Sequence, residues 1–220
     1  EAEIEKHIES KRKVVANEKG KVENGAAYFE NYVRAVTEIA DDLSGLKVVL
    51  DCANGALSHV AKHVFESLNA TVYSFNDEGC GRIINHECGA TDTKFLRQKV
   101  KELNADVGFA YDGDADRLGI IDDEGRFVHP NQILVLLYYY LLKYKGWHGP
   151  AVRNLATTHL LDRVAAAFGE TCYEVPVGFK HISAGMREHN AVIGGKNEKM
   201  LFFDLVMHAP GDPRELHGEV

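Results

Sequence analysis

The sequence predicts an α/β protein of two consecutive α/β domains, each with a mostly parallel mixed sheet flanked by helices. From residue 26 onward, short apolar runs alternate with segments of helical periodicity, which is typical of parallel βαβ units with right-handed crossovers. The alternation starts a second round near Pro130. The length of 220 residues, 45% of them hydrophobic, is sufficient for two such domains.

The first segment of the chain is highly charged. Ile4 and Ile8 stand at i,i+4 spacing, so we expect a short exposed helix followed by a polar linker within residues 1–25. Apolar residues then recur at three- and four-residue steps from Tyr28 to Ala40. This periodicity predicts a helix that stops before Ser44.

The first round of alternation predicts three strands, two helices and a hairpin. The strands are expected at 46–50, 70–75 and 106–110, the helices from after Asn54-Gly55 through residue 68 and at 91–103, and the hairpin strands at 118–121 and 126–129. A Gly-rich loop is expected between residue 76 and Gly89. The hairpin is predicted because Asp122-Asp123-Glu124-Gly125 is a typical turn sequence.

The second round opens with a helix predicted over 131–145. It contains the longest apolar run, Ile133 to Leu142, which is much shorter than the roughly 20 residues of a membrane span and indicates a buried core helix. Further strands are expected at 150–153, 171–175, 191–193 and 200–206, with helices at 159–168 and 180–189.

The charge balance excludes some classes of partner. Lys and Arg number 25 and Asp and Glu 33, a net charge of −8, which argues against a nucleic-acid groove or an anionic membrane surface. The four cysteines form no C-x-x-C pair, so we expect reduced thiols and a cytoplasmic location. The sequence begins at Glu1 without an initiator Met, and we expect a piece of a longer polypeptide.

The strongest chemical motif is Tyr111-Asp112-Gly113-Asp114-Ala115-Asp116-Arg117, directly after a predicted strand. Three carboxylates at alternate positions of an extended loop can converge on one hard cation, and α/β sheets bind ligands at the carboxyl ends of their strands. A solvated acidic turn is the alternative. An EF-hand fits poorly, because Arg117 and Asp123 occupy the positions that need Gly and Glu.

This loop and three other motifs resemble the α-D-phosphohexomutase family. D-G-D-A-D-R is similar to the family's magnesium loop, and the other three motifs lie at 45–56, at 84–92, and in the third-domain stretches 156–162 and 176–182. The resemblance runs from about Ala26 to Gly195. It implies the family's second domain at 26–129 and third domain at 130–206, with 1–25 connecting to a preceding domain and 207–220 an unassigned tail.

The resemblance implies an isomerase that moves a phosphoryl group within an aldohexose phosphate through a bisphosphate intermediate. Asp112, Asp114 and Asp116 are then expected to hold Mg²⁺, with Arg117 as a catalytic cation beside them. The hexose phosphate substrate is expected to contact the third-domain residues Gly178, Lys180, His181 and Glu198. Without the resemblance, Lys180 reads as an ordinary surface lysine.

The sequence departs from the family pattern at two places. The phosphorylated serine of a T/S-A-S-H-N loop is missing, and Ser58-His59, its nearest imitation, lies in a predicted helix. After Gly195, Lys196-Asn197-Glu198-Lys199 replaces the family's Glu-x-Ser-Gly. We therefore expect a fragment whose partners include missing flanking domains of the same polypeptide.

Other functional classes remain open as alternatives. The first is a non-catalytic module that binds a metal and a sugar phosphate. A dinucleotide-dependent oxidoreductase fits less well, because Gly79-Cys80-Gly81 is followed by Ile84 where G-x-G-x-x-G needs glycine. His59, His63 and Glu66 lack the H-E-x-x-H pattern of zinc enzymes and are read as exposed helix residues.

Overall fold

A computed structural model describes residues 2–11, 20–198 and 202–207. The first part of the chain holds helices α1 Ala2–Glu9, α2 Ala26–Thr37, α3 Ala61–Ser67 and α4 Lys94–Leu103, and strands β1 Lys47–Asp51, β2 Thr71–Phe75, β3 Val107–Tyr111, β4 Leu118–Asp122 and β5 Phe127–Val128. The second part holds helices α5 Pro130–Lys143, α6 Leu160–Ala167 and α7 Phe179–His189, and strands β6 Ala151–Asn154, β7 Cys172–Val175, β8 Ile193–Glu198 and β9 Phe202–Met207. The predicted α/β class is confirmed.

The first sheet has the strand order β2-β1-β3-β4-β5, with β1 parallel to β2 and β3 and the remaining pairs antiparallel. Side chains of β1 alternate between two cores. Val49 packs with Leu96 and Val100 of α4, whereas Val48 and Leu50 lie in the cluster that contains Ala61 of α3. A strand whose two faces are both buried needs apolar side chains on both, and in β1 these form the continuous run Val48 to Leu50.

The second sheet has the order β7-β6-β8-β9, with β6 parallel to both neighbours and β8 antiparallel to β9. The central strand β6 is buried at all four positions. One core lies on the side of α5 and α6, and the other contains Val152 of β6 with Ile182 and Met186 of α7. Helices thus flank the sheet, as the alternation predicts.

The apolar run in α5 forms a core helix, as predicted. Pro130 occupies its first turn, and the Gln132 side chain accepts a hydrogen bond from the His129 N–H at 2.9 Å. Leu134 and Tyr138 are almost fully buried. Such capping gives the helix a defined start. Among the described residues, no helix has the length and apolarity needed to cross a membrane.

Several element boundaries differ from the predictions. Helix α2 ends at Thr37, whose hydroxyl donates to Val33 O, so the predicted extension toward Ala40 is wrong. Ser58 was expected inside a helix, but α3 begins only at Ala61 and Ser58 lies in a turn. Left-handed φ angles at Ala53 and Asn54 turn the chain there, and periodicity alone does not reveal such turns.

Strand β8 is longer than the predicted strand at 191–193. It continues through Gly194 and Gly195 to Glu198, although glycine weakens a strand. A Cβ atom would lie 2.8 Å from Ile182 Cγ2 at Gly194 and 2.7 Å from Leu134 Cδ1 at Gly195. Helices approach the strand so closely on both faces that only glycine fits, and this packing is invisible to strand propensity.

Candidate metal centre

Three segments meet at the carboxyl edge of the first sheet. They are residues 52–56 after β1, 76–90 after β2 and 112–117 after β3, the last of which we call the acidic loop. The first two are joined by backbone hydrogen bonds, from Asn54 N to Asn76 O at 2.6 Å and from Asn85 N to Ala53 O at 3.1 Å. They form a platform against which the acidic loop packs.

The acidic loop is fastened to this platform on both sides of Asp112. Ala90 N donates to Tyr111 O and Ala56 N donates to Gly113 O, each at 2.8 Å. Within the loop, Arg117 N donates to Asp112 Oδ1 at 3.1 Å. Together with the turn closed by Ala115 N donating to Asp112 O at 3.1 Å, these bonds hold the loop in one conformation, although it belongs to no strand.

The loop brings three carboxylates together. Ligand oxygens of Asp112, Asp114 and Asp116 all lie within 4.8 Å of one another. Asp112 is fully buried, whereas Asp114 and Asp116 are exposed. The convergence comes from a turn and not from the extended segment that the sequence predicts, since Ala115 N donates to Asp112 O at 3.1 Å and Ala115 has a left-handed φ of +65°.

Arg117 borders this cluster and contacts two of its three carboxylates. Its Nε donates a hydrogen bond to Asp116 Oδ1 at 3.2 Å, and the same atom lies 2.5 Å from Asp112 Oδ2. Burial alone would lower the pKa of Arg117, but the charges of Asp112 and Asp116 outweigh it and raise the pKa. The guanidinium therefore stays charged beside the carboxylates.

Asp112 Oδ2 is a buried oxygen with no hydrogen-bond partner among the described residues. Arg117 Nε approaches this oxygen to 2.5 Å, so the guanidinium is its ionic partner. A buried carboxylate is costly unless a cation meets it. One guanidinium faces three carboxylates, and the negative charge that remains fits a hard divalent cation such as Mg²⁺.

No other group of acidic, histidine or cysteine side chains in the described ranges is arranged to hold a metal. The His63 ring instead lies 5.5 Å from that of Phe29 in a tilted arrangement, and its Nε2 lies 3.9 Å from the Glu30 carboxylate. His63 and Glu66 are exposed residues of α3, as expected, whereas the expected helical position of His59 is wrong, because His59 lies in the turn before that helix.

Replacing Gly55 by Ala should disturb the acidic loop. A Cβ atom at Gly55 would collide with the carbonyl group of Gly113, and we expect the free energy of unfolding to fall by about 1–3 kcal/mol. Thermal unfolding followed by circular dichroism measures this loss. Gly81→Ala is the matched control, because a Cβ atom there meets nothing within 4 Å. Equal melting temperatures of the two variants would contradict the packing described here.

The residues expected to bind substrate lie in the second part of the chain, three at the start of α7 and one at the end of β8. Gly178 is the N-cap of α7 with φ +133°, and Lys180 and His181 lie in the first turn of that helix. Lys180 is exposed and His181 is half-buried. Glu198 is the last residue of β8, and its side chain lies outside the described part of the structure.

The sequence patterns did not point to two buried charged residues of the central strands, Arg153 within β6 and Asp51 at the end of β1. Arg153 of β6 donates to Asp162 at 2.8 Å and to Glu174 at 2.6 Å, while Asp51 of β1 accepts three hydrogen bonds. The sequence did contain a signal for both residues, namely a charged residue in or directly after a short apolar run. Arg and Asp are almost never fully buried without partners, so such a charge predicts a built polar network.

Both parts of the chain match domains of a known protein family. The family described as phosphoglucomutase/phosphomannomutase, alpha/beta/alpha domain II, matches residues 26–125, and its domain III matches residues 129–201. The chain is 34% identical over 197 residues to the phosphoglucosamine mutase of Proteus mirabilis, a match that covers 90% of this chain and 44% of that protein. It therefore spans less than half the length of this relative.

Solved structures show the same fold. A phosphoglucomutase/phosphomannomutase family protein from Burkholderia thailandensis matches 81% of this chain and 39% of its own, with a TM-score of 0.72 and 24% identity. The N-acetylphosphoglucosamine mutase of Aspergillus fumigatus, solved in complex with GlcNAc-6P and magnesium, matches 82% of this chain and 40% of its own, with a TM-score of 0.55 and 17% identity.

Proposed function

The chain belongs to the phosphoglucomutase/phosphomannomutase family of α-D-phosphohexomutases, and on this basis we propose that it carries the magnesium site and part of the sugar-phosphate site of such an enzyme. Its curated relatives are mutases, which are isomerases. The proposed reaction is magnesium-dependent phosphoryl transfer within an aldohexose phosphate, through a bisphosphate intermediate. The convergence of three carboxylates, one of them buried, against a single guanidinium carries this proposal.

The proposed roles follow from the chemistry of each side chain. Asp112, Asp114 and Asp116 would hold Mg²⁺, which when bound neutralises charge on phosphoryl oxygens. The guanidinium of Arg117 contributes a fixed positive charge next to the transferring group. The A. fumigatus mutase was solved with GlcNAc-6P and magnesium bound together, which supports this combination of ligands for the present chain.

In the second part of the chain, the residues proposed to contact the sugar phosphate are Gly178, Lys180, His181 and Glu198. The exposed ammonium group of Lys180 lies in the first turn of α7. An anion there is favoured by the lysine and by the unsatisfied N–H groups of a helix N-terminus. Because Gly178 has a left-handed φ of +133°, the chain can turn sharply just before this helix.

We propose domain limits of 26–129 and 130–206, with 1–25 connecting to a preceding domain and 207–220 unassigned. The limit at residue 130 is supported by the start of α5, which directly follows the last strand of the first sheet. Flanking domains of the same polypeptide are the proposed partners, since the T/S-A-S-H-N loop is absent from the sequence. Four free cysteines support a reducing, cytoplasmic setting.

Mg²⁺ should raise the melting temperature of the 220-residue chain, and Asp114→Asn should reduce that rise. A ligand at about 100 times its Kd stabilises the folded state by about 2.7 kcal/mol. Asp114 is exposed, so its replacement should leave the metal-free protein folded. Differential scanning fluorimetry over a Mg²⁺ titration measures the effect. The control is Asp123→Asn in the exposed β4–β5 turn, and equal Mg²⁺ stabilisation of both variants would argue against the site.

Turnover is tested on the full-length polypeptide that contains this sequence. We expect mutase activity with a hexose 1,6-bisphosphate primer, and profiling of glucose, mannose and glucosamine phosphates identifies the sugar. The isolated 220-residue chain is expected to bind Mg²⁺ without turnover. Absence of activity in the full-length protein with all three sugars would refute the enzyme assignment and favour the binding-module alternative.

A further inference from the structure

Asp51 ends β1 and is fully buried. Its Oδ1 accepts hydrogen bonds from Ala53 N and from Asn76 Nδ2, each at 3.1 Å, and its Oδ2 accepts one from Gly89 N at 2.8 Å. Ala53 belongs to the segment after β1, whereas Asn76 and Gly89 lie at the start and near the end of the segment after β2. One carboxylate therefore ties together the platform on which the acidic loop rests.

Two short routes lead from Asp51 to the acidic loop. On one side, Gly89 is followed by Ala90, whose N–H donates to Tyr111 O. On the other side, the turn that starts at Ala53 leads to Ala56, whose N–H donates to Gly113 O. Tyr111 and Gly113 are the residues directly before and after Asp112. Asp51 therefore supports the backbone on both sides of the buried carboxylate.

The first route also requires glycine. Gly89 has φ +77°, and a Cβ atom there would lie 2.7 Å from the Ala53 side chain and collide with Tyr111 O. Ala53 itself has a left-handed φ of +51°, which is costly for a residue with a side chain. The hydrogen bond from Ala53 N to Asp51 compensates for part of that strain.

The charge of Asp51 is not needed for packing. Its described contacts are all to neutral donors, and burial raises its pKa while hydrogen bonds from Gly89, Asn76 and Ala53 oppose the rise. A neutral side chain of the same shape would avoid much of the cost of burying a charge. The carboxylate is the group that accepts all three N–H donors at once, since an asparagine can accept only on one atom.

We propose that Asp51 is a positioning residue of the candidate metal centre: by holding the segments on either side of Asp112, it sets the arrangement in which the three carboxylates converge. This inference rests on the proposed function. Residues that orient metal ligands in this way typically change metal affinity about 10–100-fold when replaced.

The test compares Asp51→Asn with Asp42→Asn in the 220-residue chain. Asp42 also accepts three hydrogen bonds, from Ser44 N, Ser44 Oγ and Asn69 Nδ2, but it is exposed and precedes β1 at the opposite edge of the sheet. Mn²⁺ and Mg²⁺ affinities are measured by calorimetry at a temperature where circular dichroism shows each variant folded. We expect Asp51→Asn to bind about 10–100-fold more weakly and Asp42→Asn to bind as the parent does.

A metal-free readout separates positioning from general destabilisation. Hydrogen exchange of the amides at 111–117 should accelerate in Asp51→Asn relative to the amides of α7, which report on the second sheet. If Asp51→Asn does not fold, Asn76→Gly removes one donor to Asp51 while tolerating the φ of +50° at that residue, and the same selective acceleration is expected.

The outcomes distinguish the two proposals. Equal affinity and equal exchange in Asp51→Asn and Asp42→Asn would overturn the positioning role and leave the metal centre standing. Absence of Mg²⁺ and Mn²⁺ binding by the parent chain would overturn the proposed function, and this inference with it. Weaker binding together with selective exchange at 111–117 supports both.

Discussion

Replacing Asp112 by Asn is expected to weaken Mg²⁺ binding about 100-fold or more, the largest effect among the three acidic residues. Removing one partner from a buried charged site costs about 3–5 kcal/mol, and each 1.4 kcal/mol corresponds to about tenfold in affinity. Asp112 is the fully buried member of the cluster, and its Oδ2 is the oxygen without a hydrogen-bond donor among the described residues. Isothermal titration calorimetry with Mg²⁺ measures the change.

The matched variants for this experiment are Asp116→Asn and Asp123→Asn. Asp116 is exposed and its Oδ1 accepts from Arg117, so its loss should weaken binding less than the loss of Asp112. Asp123 lies outside the cluster and should have no effect. An Asp112→Asn variant that keeps the parent's Kd would show that the cluster is a solvated acidic turn. Asparagine preserves the Oδ1 acceptor for Arg117 N but loses the ionic contact between Oδ2 and Arg117 Nε, so affinities are compared at a temperature where circular dichroism shows each metal-free variant folded.

Replacing Arg153 by Ala is expected to destabilise the second sheet by about 2–3 kcal/mol. The Arg153 side chain is only 3% exposed and forms ion pairs with Asp162 and Glu174, while His159 Nδ1 lies 2.8 Å from its Nη2. Breaking a fully buried pair costs about 3–5 kcal/mol, and the expected loss is smaller because both carboxylates are partly exposed. Urea unfolding followed by Trp147 fluorescence measures the loss.

The nearby Arg163→Ala serves as the control, since Arg163 is exposed on α6. Arg153→Lys should give an intermediate loss, because lysine keeps the charge but cannot bond two carboxylates with a planar fork. If Arg153→Ala and Arg163→Ala unfold at the same urea concentration, the buried network contributes nothing to stability.

The Arg153 network also predicts a pH dependence. Burial acts to raise the pKa of Asp162, but the hydrogen bonds and charge of Arg153 outweigh it, and the net effect lowers the pKa. A lowered folded-state pKa contributes stability above the unfolded value of about 3.9 that is lost as the pH falls through the folded value. The parent should therefore lose stability below about pH 4 more steeply than Arg153→Ala, as measured by urea unfolding at several pH values.

Most of the fold was predictable from residue patterns. The central strand β1 is buried on both faces and its apolar run, Val48 to Leu50, is unbroken, whereas β6 was found from the shorter pair Ala151-Val152 before Arg153. Errors fell where tertiary contacts override local preference. The continuation of β8 through Gly194 and Gly195 depends on helices packing against both faces, and the late start of α3 depends on two left-handed residues.

The candidate site was predictable in part for the same kind of reason. Asp112, Asp114 and Asp116 lie within five residues directly after a strand, so their closeness was predictable, but the turn with a left-handed Ala115 that brings their oxygens together was not. Asp51 bonds to Gly89, 38 positions away, and Arg153 bonds to Glu174, 21 positions away. Spacing along the chain carries no signal for such long-range pairs.

The sequence by itself determined the α/β class, the buried α5 helix and the three carboxylates of the acidic loop, because periodicity and alternate spacing act over a few residues. Only the tertiary structure decided which of those carboxylates is buried and which of its oxygens has no donor among the described residues. It also decided that a single carboxylate, Asp51, supports both sides of that position. These properties depend on how three loops meet at one edge of a sheet, and long-range packing sets that meeting.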